Sequence, residues 1–547
     1  MMGLPKKDQP AAKSIYCLIA IFVSAAVCNG GVPLNTSAIG LPPGVLGKWE
    51  QQLHQAGATA REIGAFEEQF KGASPDYLAG WQAYIENAGN SYFERYVLSS
   101  RRNREPELPA IFPCTAPILS VEELRNVSIS NTTIDSATIS PSGEYCRVTA
   151  TVTHPPANDR VTIWIDLPVK GWNGRFRGTG GAGYAGGFEA SLDKPVAKGW
   201  AVGATDAGNS SGSGSLAMGA DGHLNWQVIR DNAYLGIHDM TVVGKALTEA
   251  FYGRAPRFSY FFGGSSGGRQ ALMEAQRFPG DYDGIVALYP AINRDRYVPA
   301  QLWPQVVMHE AKHFVSKAKL DAVSAAVVKL YGIDGIIADP LHCAYDLGAM
   351  VGTKVGDEIF TAEDAKIVRQ IWNGAKGSGG RFLWYGLVPG SDLSVLASTR
   401  GNPLEGDPNE EGLAWFRYWL LQDPKWDWTT LNRDSFEQLF NQSVEEFGAV
   451  IGTDNPDLNA FKNRGGKLLI VHGLNDQVVP VGGTIQYYRD VEKRMGGPEQ
   501  VAEFARLFLV PGQGHGFSAK LPAPSTAETV QAITAWIEDG RPPSHLG

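Results

Sequence analysis

The chain has 547 residues, 43% of them hydrophobic and 19% charged, with a formal net charge of −9. This is the composition of a globular protein long enough for a large core with an insertion, or for two to three units, and not of a disordered or fibrous chain. An acidic balance, with Lys and Arg dispersed rather than gathered in a stripe, argues against nucleic acid or an anionic membrane as a partner.

The N-terminus runs KKDQPAAKSIYCLIAIFVSAAVCNGG. Lysines, an apolar run from Ile15 to Val27 and then small residues make a signal-peptide layout, too short to favour a spanning helix. Residues 1–28 are therefore expected to be a leader, with an uncleaved anchor as the alternative. The mature protein is expected to be extracellular or periplasmic, away from the membrane. Export permits disulfides. Cys114 and Cys146 are the natural pair, which leaves Cys343 odd.

Residues 44–100 show helical apolar spacing without recognisable chemistry, and RRNREPELPAIFPCTAP reads as a linker. Residues 29–110 are thus expected to be a helical segment and linker, followed by a core from 111. RVTATVTHP and RVTIWIDLP predict strands, with the glycine loop RGTGGAGYAGG after them. WAVGATDAG predicts another strand, WQVIRDNAYLGIHDMTVVGKALTEAFYG one long helix, FSYFF a strand and GRQALMEAQRF a helix. GIVALYPA, KLLIVHG and ARLFLVPG predict buried strands. Strands alternating with helices predict an α/β fold whose mostly parallel sheet is covered on both faces. From 292 to 462 that rhythm is lost. Amphipathic helices and Trp-rich stretches there predict a large inserted lid over the carboxyl edge of the sheet, the core resuming over 463–547.

The stretch FSYFFGGSSGGRQAL, residues 258–272, places two serines between a strand and a helix. It fits G-x-S-x-G in two registers, one centred on Ser265 and one on Ser266. A strand, a Gly-rich turn holding Ser and then a helix is the layout of a nucleophile elbow. In that arrangement an acid and then a histidine follow in the chain. Asp476 comes just after the strand KLLIVHG, and His515 sits in the glycine turn after ARLFLVPG. Taken singly, Asp476 reads equally well as a helix cap and His515 as a loop histidine; their order and strand-end positions point to a triad. His472 precedes the acid and is expected to pack within its strand. Oxyanion donors are expected from the Gly267 amide and from the loop 178–187, whose alternative reading is a flexible surface loop.

These blocks resemble the tannase and feruloyl esterase family, which also includes the mono(2-hydroxyethyl) terephthalate hydrolases. GWNGRFRGTGGAGYAG is similar to its oxyanion loop, and the 258–291 block to its nucleophile block. GGKLLIVHGLNDQVVPVGGTIQYY and ARLFLVPGQGHG are similar to its acid and base blocks. The likeness spans roughly residues 110–540 and leaves 44–100 unaccounted for. It implies an α/β-hydrolase core with a lid and a serine carboxylesterase acting on esters of hydroxylated aromatic acids through an acyl-enzyme. Aligned with the family's Gly-Cys-Ser-x-Gly-Gly, the nucleophile is expected at Ser266, with Ser265 in the cysteine's place. Asp476, His515 and the donors Gly267 and Gly183 complete the site. The family's cysteine is bridged to one that follows the catalytic histidine, and Gly516 stands there, so a tie of about 2–4 kcal/mol is missing.

The resemblance also implies a calcium loop at residues 326–337. Val327 and Leu330 occupy aspartate positions, Asp334 alone survives, and Ala326 replaces the cysteine that would pair with Cys343. No calcium and no other cofactor is expected. In the lid, Trp384, Trp415 and Trp419 are weak candidates for stacking on a substrate ring, core packing being the alternative. Two other readings stand beside the main one. One is an esterase or lactonase of a non-phenolic substrate; the other is a non-catalytic ligand-binding relative.

Overall fold

The computed structural model describes residues 44–68, 93–94, 97–98, 101–112, 115–518 and 521–546. The expected leader and Cys114 lie outside the described residues. The chain divides into two compact units, at Arg104 and Glu105.

In the first unit α1 (Val45–Gln55) buries Leu46, Trp49 and Leu53, the three- and four-residue spacing of one helix face. Trp49 meets Phe66 of α2 (Ala60–Glu68) edge to face at 5.9 Å. Thr59 and Glu62 form a reciprocal cap at the start of α2, the Thr59 amide donating to Glu62 at 2.8 Å and the Glu62 amide to the Thr59 hydroxyl at 3.3 Å.

The second unit is built on nine strands: β1 (Thr132–Ile139), β2 (Tyr145–Val152), β3 (Val161–Pro168), β4 (Arg175–Thr179), β5 (Ala201–Thr205), β6 (Phe258–Gly264), β7 (Gly284–Leu288), β8 (Lys467–Gly473) and β9 (Ala505–Val510). They lie in the order β1-β2-β3-β5-β4-β6-β7-β8-β9. Pairing is antiparallel from β1 to β5 and parallel from β5 to β9. Successive side chains feed two cores. Phe261, Ile285, Leu468 and Ile470 point to one face, and Tyr260, Val286 and Leu469 to the other. Both faces are therefore apolar and both are covered. The helices α3 (Gly236–Tyr252) and α4 (Ser266–Arg277) pack on one face, as does α5 (Gly482–Arg494) through Tyr487 and Val491; α6 (Thr526–Glu538) buries Val530, Ile533 and Trp536 on the other. Trimming one such residue, for example Ile470→Ala, would cost about 2–5 kcal/mol.

Three features differ from the sequence-based expectation. β1 and β4 are additional strands: β1 is a half-exposed edge, and β4 is short and wholly buried. The long helix after β5 is interrupted by a π-helical turn over Asp231–Leu235 before α3 begins. Cys146 is a free thiol, so the expected bridge to Cys114 is not made at this end. The alternation of β2 turns its side chain into the core, where burial pushes the thiol up to about 11. Cys343 is also free.

Between β7 and β8 the chain forms helices, the longest at Lys317–Tyr331 and Arg433–Ile451, around a shared core that includes Val306, Leu320, Ile367 and Phe436. This insertion contacts loops that leave strand carboxyl ends. The Tyr184 hydroxyl, after β4, donates to Glu411 O at 2.9 Å, and Trp419 Nε1 donates to Gly214 O, after β5, at 3.0 Å.

Candidate active site

β6, β7, β8 and β9 are adjacent and parallel, so the turns that leave their carboxyl ends converge on one edge. Asp476 and His515 meet there. The His515 Nδ1 lies 2.7 Å from Asp476 Oδ2, and the other carboxylate oxygen accepts the amides of Val478 at 2.8 Å and Val479 at 2.7 Å. Burial alone would raise the Asp476 carboxyl, but the charge of His515 and hydrogen bonds from His472 and His515 hold it well below the usual carboxylate range. Burial likewise works against a charged His515; the charge and hydrogen bond of Asp476, with Glu411 further off, outweigh it and raise the imidazole above its ordinary value.

The imidazole faces Ser265, not Ser266. His515 Nε2 is 2.9 Å from Ser265 Oγ. This corrects the expectation of a Ser266–His515 pair, and the reason lies in the backbone. Ser265 is the single residue between the last residue of β6 and the first of α4, and it has φ 58° and ψ −122°. A non-glycine residue held at positive φ in a strand-to-helix turn is strained and projects its side chain out of the turn. The flanking glycines select the same register: a Cβ on Gly263 would lie 2.1 Å from Gly267 O, so these two backbones close on each other around Ser265. Ser266 is already the first residue of α4. It is buried, its hydroxyl donates to Gly183 O at 2.7 Å, and it accepts from Arg294 Nη1 at 3.1 Å. With Ser265 in the turn, the residue before the serine is Gly264, and Ser265 no longer stands in the cysteine's place.

The amides expected to receive an oxyanion differ in their hydrogen bonds. The Gly267 amide donates to Gly181 O at 2.9 Å and is therefore committed, which corrects its expected role. Among the described residues, the amides of Ser266 and Gly183 make no hydrogen bond. The first is an open amide at a helix N-terminus; the second belongs to a glycine at φ 56°. The loop that holds Gly183 is not a loose surface segment. Gln270 of α4 accepts from the Gly181 amide at 2.9 Å and donates to Gly186 O at 3.0 Å. A Cβ on Gly180 would come within 2.6 Å of Gly267 Cα, so the loop lies directly against the helix start.

Several residues join the site that sequence reasoning did not place there. His472 is fully buried, and its Nε2 lies 3.1 Å from Asp476 Oδ2 while Nδ1 meets the Thr484 hydroxyl at 2.9 Å, so the acid is gripped by two imidazoles. Its spacing of four residues from Asp476 was the available signal. From the insertion comes a buried polar group: Arg294 Nη2 pairs with Glu411 Oε1 at 2.9 Å, and Glu411 also accepts from Tyr297 at 3.3 Å and Gln301 at 3.2 Å. Nothing local in the sequence marks that group.

Trp415 and Trp419 are fully buried and stack on each other at 4.4 Å, with Nε1 atoms bonded to Ser443 and Gly214, so neither offers a face to a substrate ring. Trp384 is nearly as buried, against Gly483 and Tyr385. Residues 326–337 do not fit a calcium ion: Val327 is buried in the core, Leu330 is an exposed hydrocarbon, and Asp334 brings the only carboxylate of the stretch.

Residues 146–547 match the family model described as tannase and feruloyl esterase. The chain belongs to this family. It is accordingly a carboxylic ester hydrolase. Among tannase and feruloyl esterase relatives, it is 37% identical over 434 residues to a probable feruloyl esterase of Arthroderma benhamiae, covering 76% of this chain and 79% of that one. It is 28% identical over 435 residues to feruloyl esterase B of Aspergillus niger, covering 75% and 80%. Among solved structures, feruloyl esterase B from Aspergillus oryzae superposes with a TM-score of 0.68 at 26% identity, over 78% of this chain and 92% of that one. A tannin acyl hydrolase from Aspergillus niger shares the fold, with a TM-score of 0.70 at 24% identity, over 78% and 88%. Among the described residues, no helix is long and apolar enough to cross a membrane.

Proposed function

We propose that this esterase cleaves its substrate by acyl transfer through Ser265, His515 and Asp476. The observation that carries the reading is the unbroken hydrogen-bond line from Ser265 Oγ through both ring nitrogens of His515 to Asp476, at 2.9 and 2.7 Å. Ser265 attacks the ester carbonyl carbon as its hydroxyl proton passes to His515 Nε2. Asp476 holds the Nδ1–H tautomer and balances the imidazolium; His472 and two backbone amides keep the acid ionised and oriented. The negative oxygen that develops on the carbonyl is received by the open amides of Ser266 and Gly183. Collapse of the tetrahedral intermediate expels the alcohol with the proton from His515. Water, losing its proton to the same nitrogen, then frees the acid and restores Ser265.

His515 must be neutral to begin this cycle, and its environment raises its pKa. Activity therefore rises with pH through a midpoint above the ordinary histidine value. The names of the relatives support a hydroxylated aromatic acid as the acyl part of the substrate, and the signal-peptide layout of residues 1–28 supports secretion. We expect neither calcium nor any other cofactor to be needed.

The test is a rate comparison on purified protein among methyl ferulate, methyl gallate, chlorogenate and short p-nitrophenyl esters, with Ser265→Ala as the blank. Hydrolysis of an aromatic-acid ester, abolished in the variant, supports both mechanism and substrate class. Hydrolysis of p-nitrophenyl esters alone keeps the mechanism and moves the substrate to the non-phenolic class. Hydrolysis that survives Ser265→Ala rejects the mechanism.

A further inference from the structure

Tyr289 touches the serine turn, the histidine loop and the strand that leads into Asp476. It follows β7 at φ 34°, and the backbone around it is pinned. Its amide donates to Val471 O of β8 at 2.6 Å, the Ser265 amide donates to Leu288 O at 3.0 Å, and the Ala291 amide donates to Ser265 O at 3.0 Å. Residue 289 thus sits in a segment bonded on either side to the serine turn and across to the strand that leads into Asp476. Its ring runs along Gly264: a Cβ there would come within 2.6 Å of the Tyr289 hydroxyl and 2.7 Å of Cζ. The same ring meets the His515 imidazole edge to face, with centroids 4.9 Å apart, and the Phe517 ring at 5.0 Å.

We propose that Tyr289 is the positioning residue that holds His515 against Ser265. It acts as a non-covalent tie between two turns that are 250 residues apart in the chain. This rests on the reading of Ser265 and His515 given above. The residues that flank the pair, Gly264 and Gly516, carry no thiol, so no covalent bond can join the turns at those positions. The ring does so by packing. The ring lies directly beside the imidazole, so a rotation toward it that would take Nε2 off Ser265 meets the ring. Gly264 is half of the device, because the ring reaches the histidine only where no side chain stands on that strand end.

The experiment is a cycle of Tyr289→Phe, Tyr289→Ala, Gly264→Ala and the double variant Gly264→Ala/Tyr289→Ala. Each is measured for kcat, KM, Tm and the imidazole ¹⁵N shifts of His515. Tyr289→Phe keeps the ring and should hold kcat within about threefold. Tyr289→Ala should lower kcat about 10- to 100-fold with little change in KM, the scale of a base displaced by an ångström or less. Gly264→Ala should do the same by pushing the ring away, and should add nothing in the Tyr289→Ala background. Additive losses, or full kcat in Tyr289→Ala, overturn the proposal. If the wild-type protein hydrolyses no ester, the functional reading fails by itself. The tie is then judged by whether the His515 ¹⁵N shifts move in Tyr289→Ala but not in Tyr289→Phe; unmoved shifts overturn it.

Discussion

The serine turn and the loop that carries His515 meet at one hydrogen bond, yet they are held by different means. The serine turn is fixed by backbone. β6 is paired on both sides, α4 starts at the next residue, and both the amide and the carbonyl of Ser265 are hydrogen-bonded to main chain. The histidine loop begins where β9 ends at the edge of the sheet; beyond one main-chain bond to the acid turn, from the Asn475 amide to Gln513 O at 2.9 Å, it is held largely by side chains. Gln477 Oε1 accepts the His515 amide at 3.0 Å. The fully buried Gln513 accepts the Ser518 amide at 2.6 Å, and its Nε2 lies within 3.1 Å of the carbonyls of Ser518, Leu521 and Pro522. The nucleophile should therefore tolerate changes in neighbouring side chains, whereas the base should be disturbed by single substitutions well away from substrate.

The largest expected effect breaks the site at its centre. Ser265→Ala should lower kcat/KM by about 10⁴-fold or more, while Ser266→Ala, which keeps its backbone amide, should lose no more than about tenfold. Steady-state kinetics on the two variants decide between the serines. Next, Asp476→Asn should cost about 10³–10⁴-fold in kcat, because the amide lets the imidazole take the wrong tautomer; a small loss would mean that the loop fixes the ring without the acid.

Gln513→Ala sharpens the contrast between the turns. It removes the donor shared by the carbonyls of Ser518, Leu521 and Pro522 and the acceptor of the Ser518 amide, and should lower unfolding stability by about 1–2 kcal/mol in a denaturant titration. It should also reduce kcat, without slowing Ser266→Ala any further than the two separate effects combined.

The smallest effect concerns pH. His515 is raised above its ordinary 6.5 by Asp476 and Glu411 against the opposing pull of burial. The groups facing it are those two carboxylates, the Ser265 hydroxyl and the Tyr289 ring, with His472 on the far side of Asp476. Glu411→Gln removes one negative charge, so the acidic limb of the kcat/KM profile should move to lower pH. A limb that moves up or stays in place would show that Glu411 does not act on the imidazole.

Much of this architecture was legible in the sequence because it is local. Buried runs such as KLLIVHG declare strands, and the order serine, Asp476, His515 at strand ends declares the edge on which they meet. The choice between the serines is open in G-x-S-x-G, which is satisfied in both registers, but the longer Gly-Cys-Ser-x-Gly-Gly closes on Gly268 only with Ser265 as its serine; with Ser266 it would end on Arg269. In the folded turn, φ at Ser265 and the close approach of Gly263 to Gly267 agree with the Ser265 register. The Gly267 amide was misassigned because its acceptor, Gly181, lies on a loop 86 residues earlier in the chain. Tyr289 reads as the end of a strand until its ring is seen between Gly264 and His515. Cys146 looks like half of a bridge until the alternation of β2 turns it inward.

The measurement that tests the central claim most directly is covalent labelling of the wild-type protein with a fluorophosphonate, followed by peptide mapping across residues 258–277. The account predicts a single adduct on Ser265, its formation retained in Ser266→Ala and lost in Ser265→Ala. An adduct on Ser266, or labelling that persists in Ser265→Ala, would contradict it.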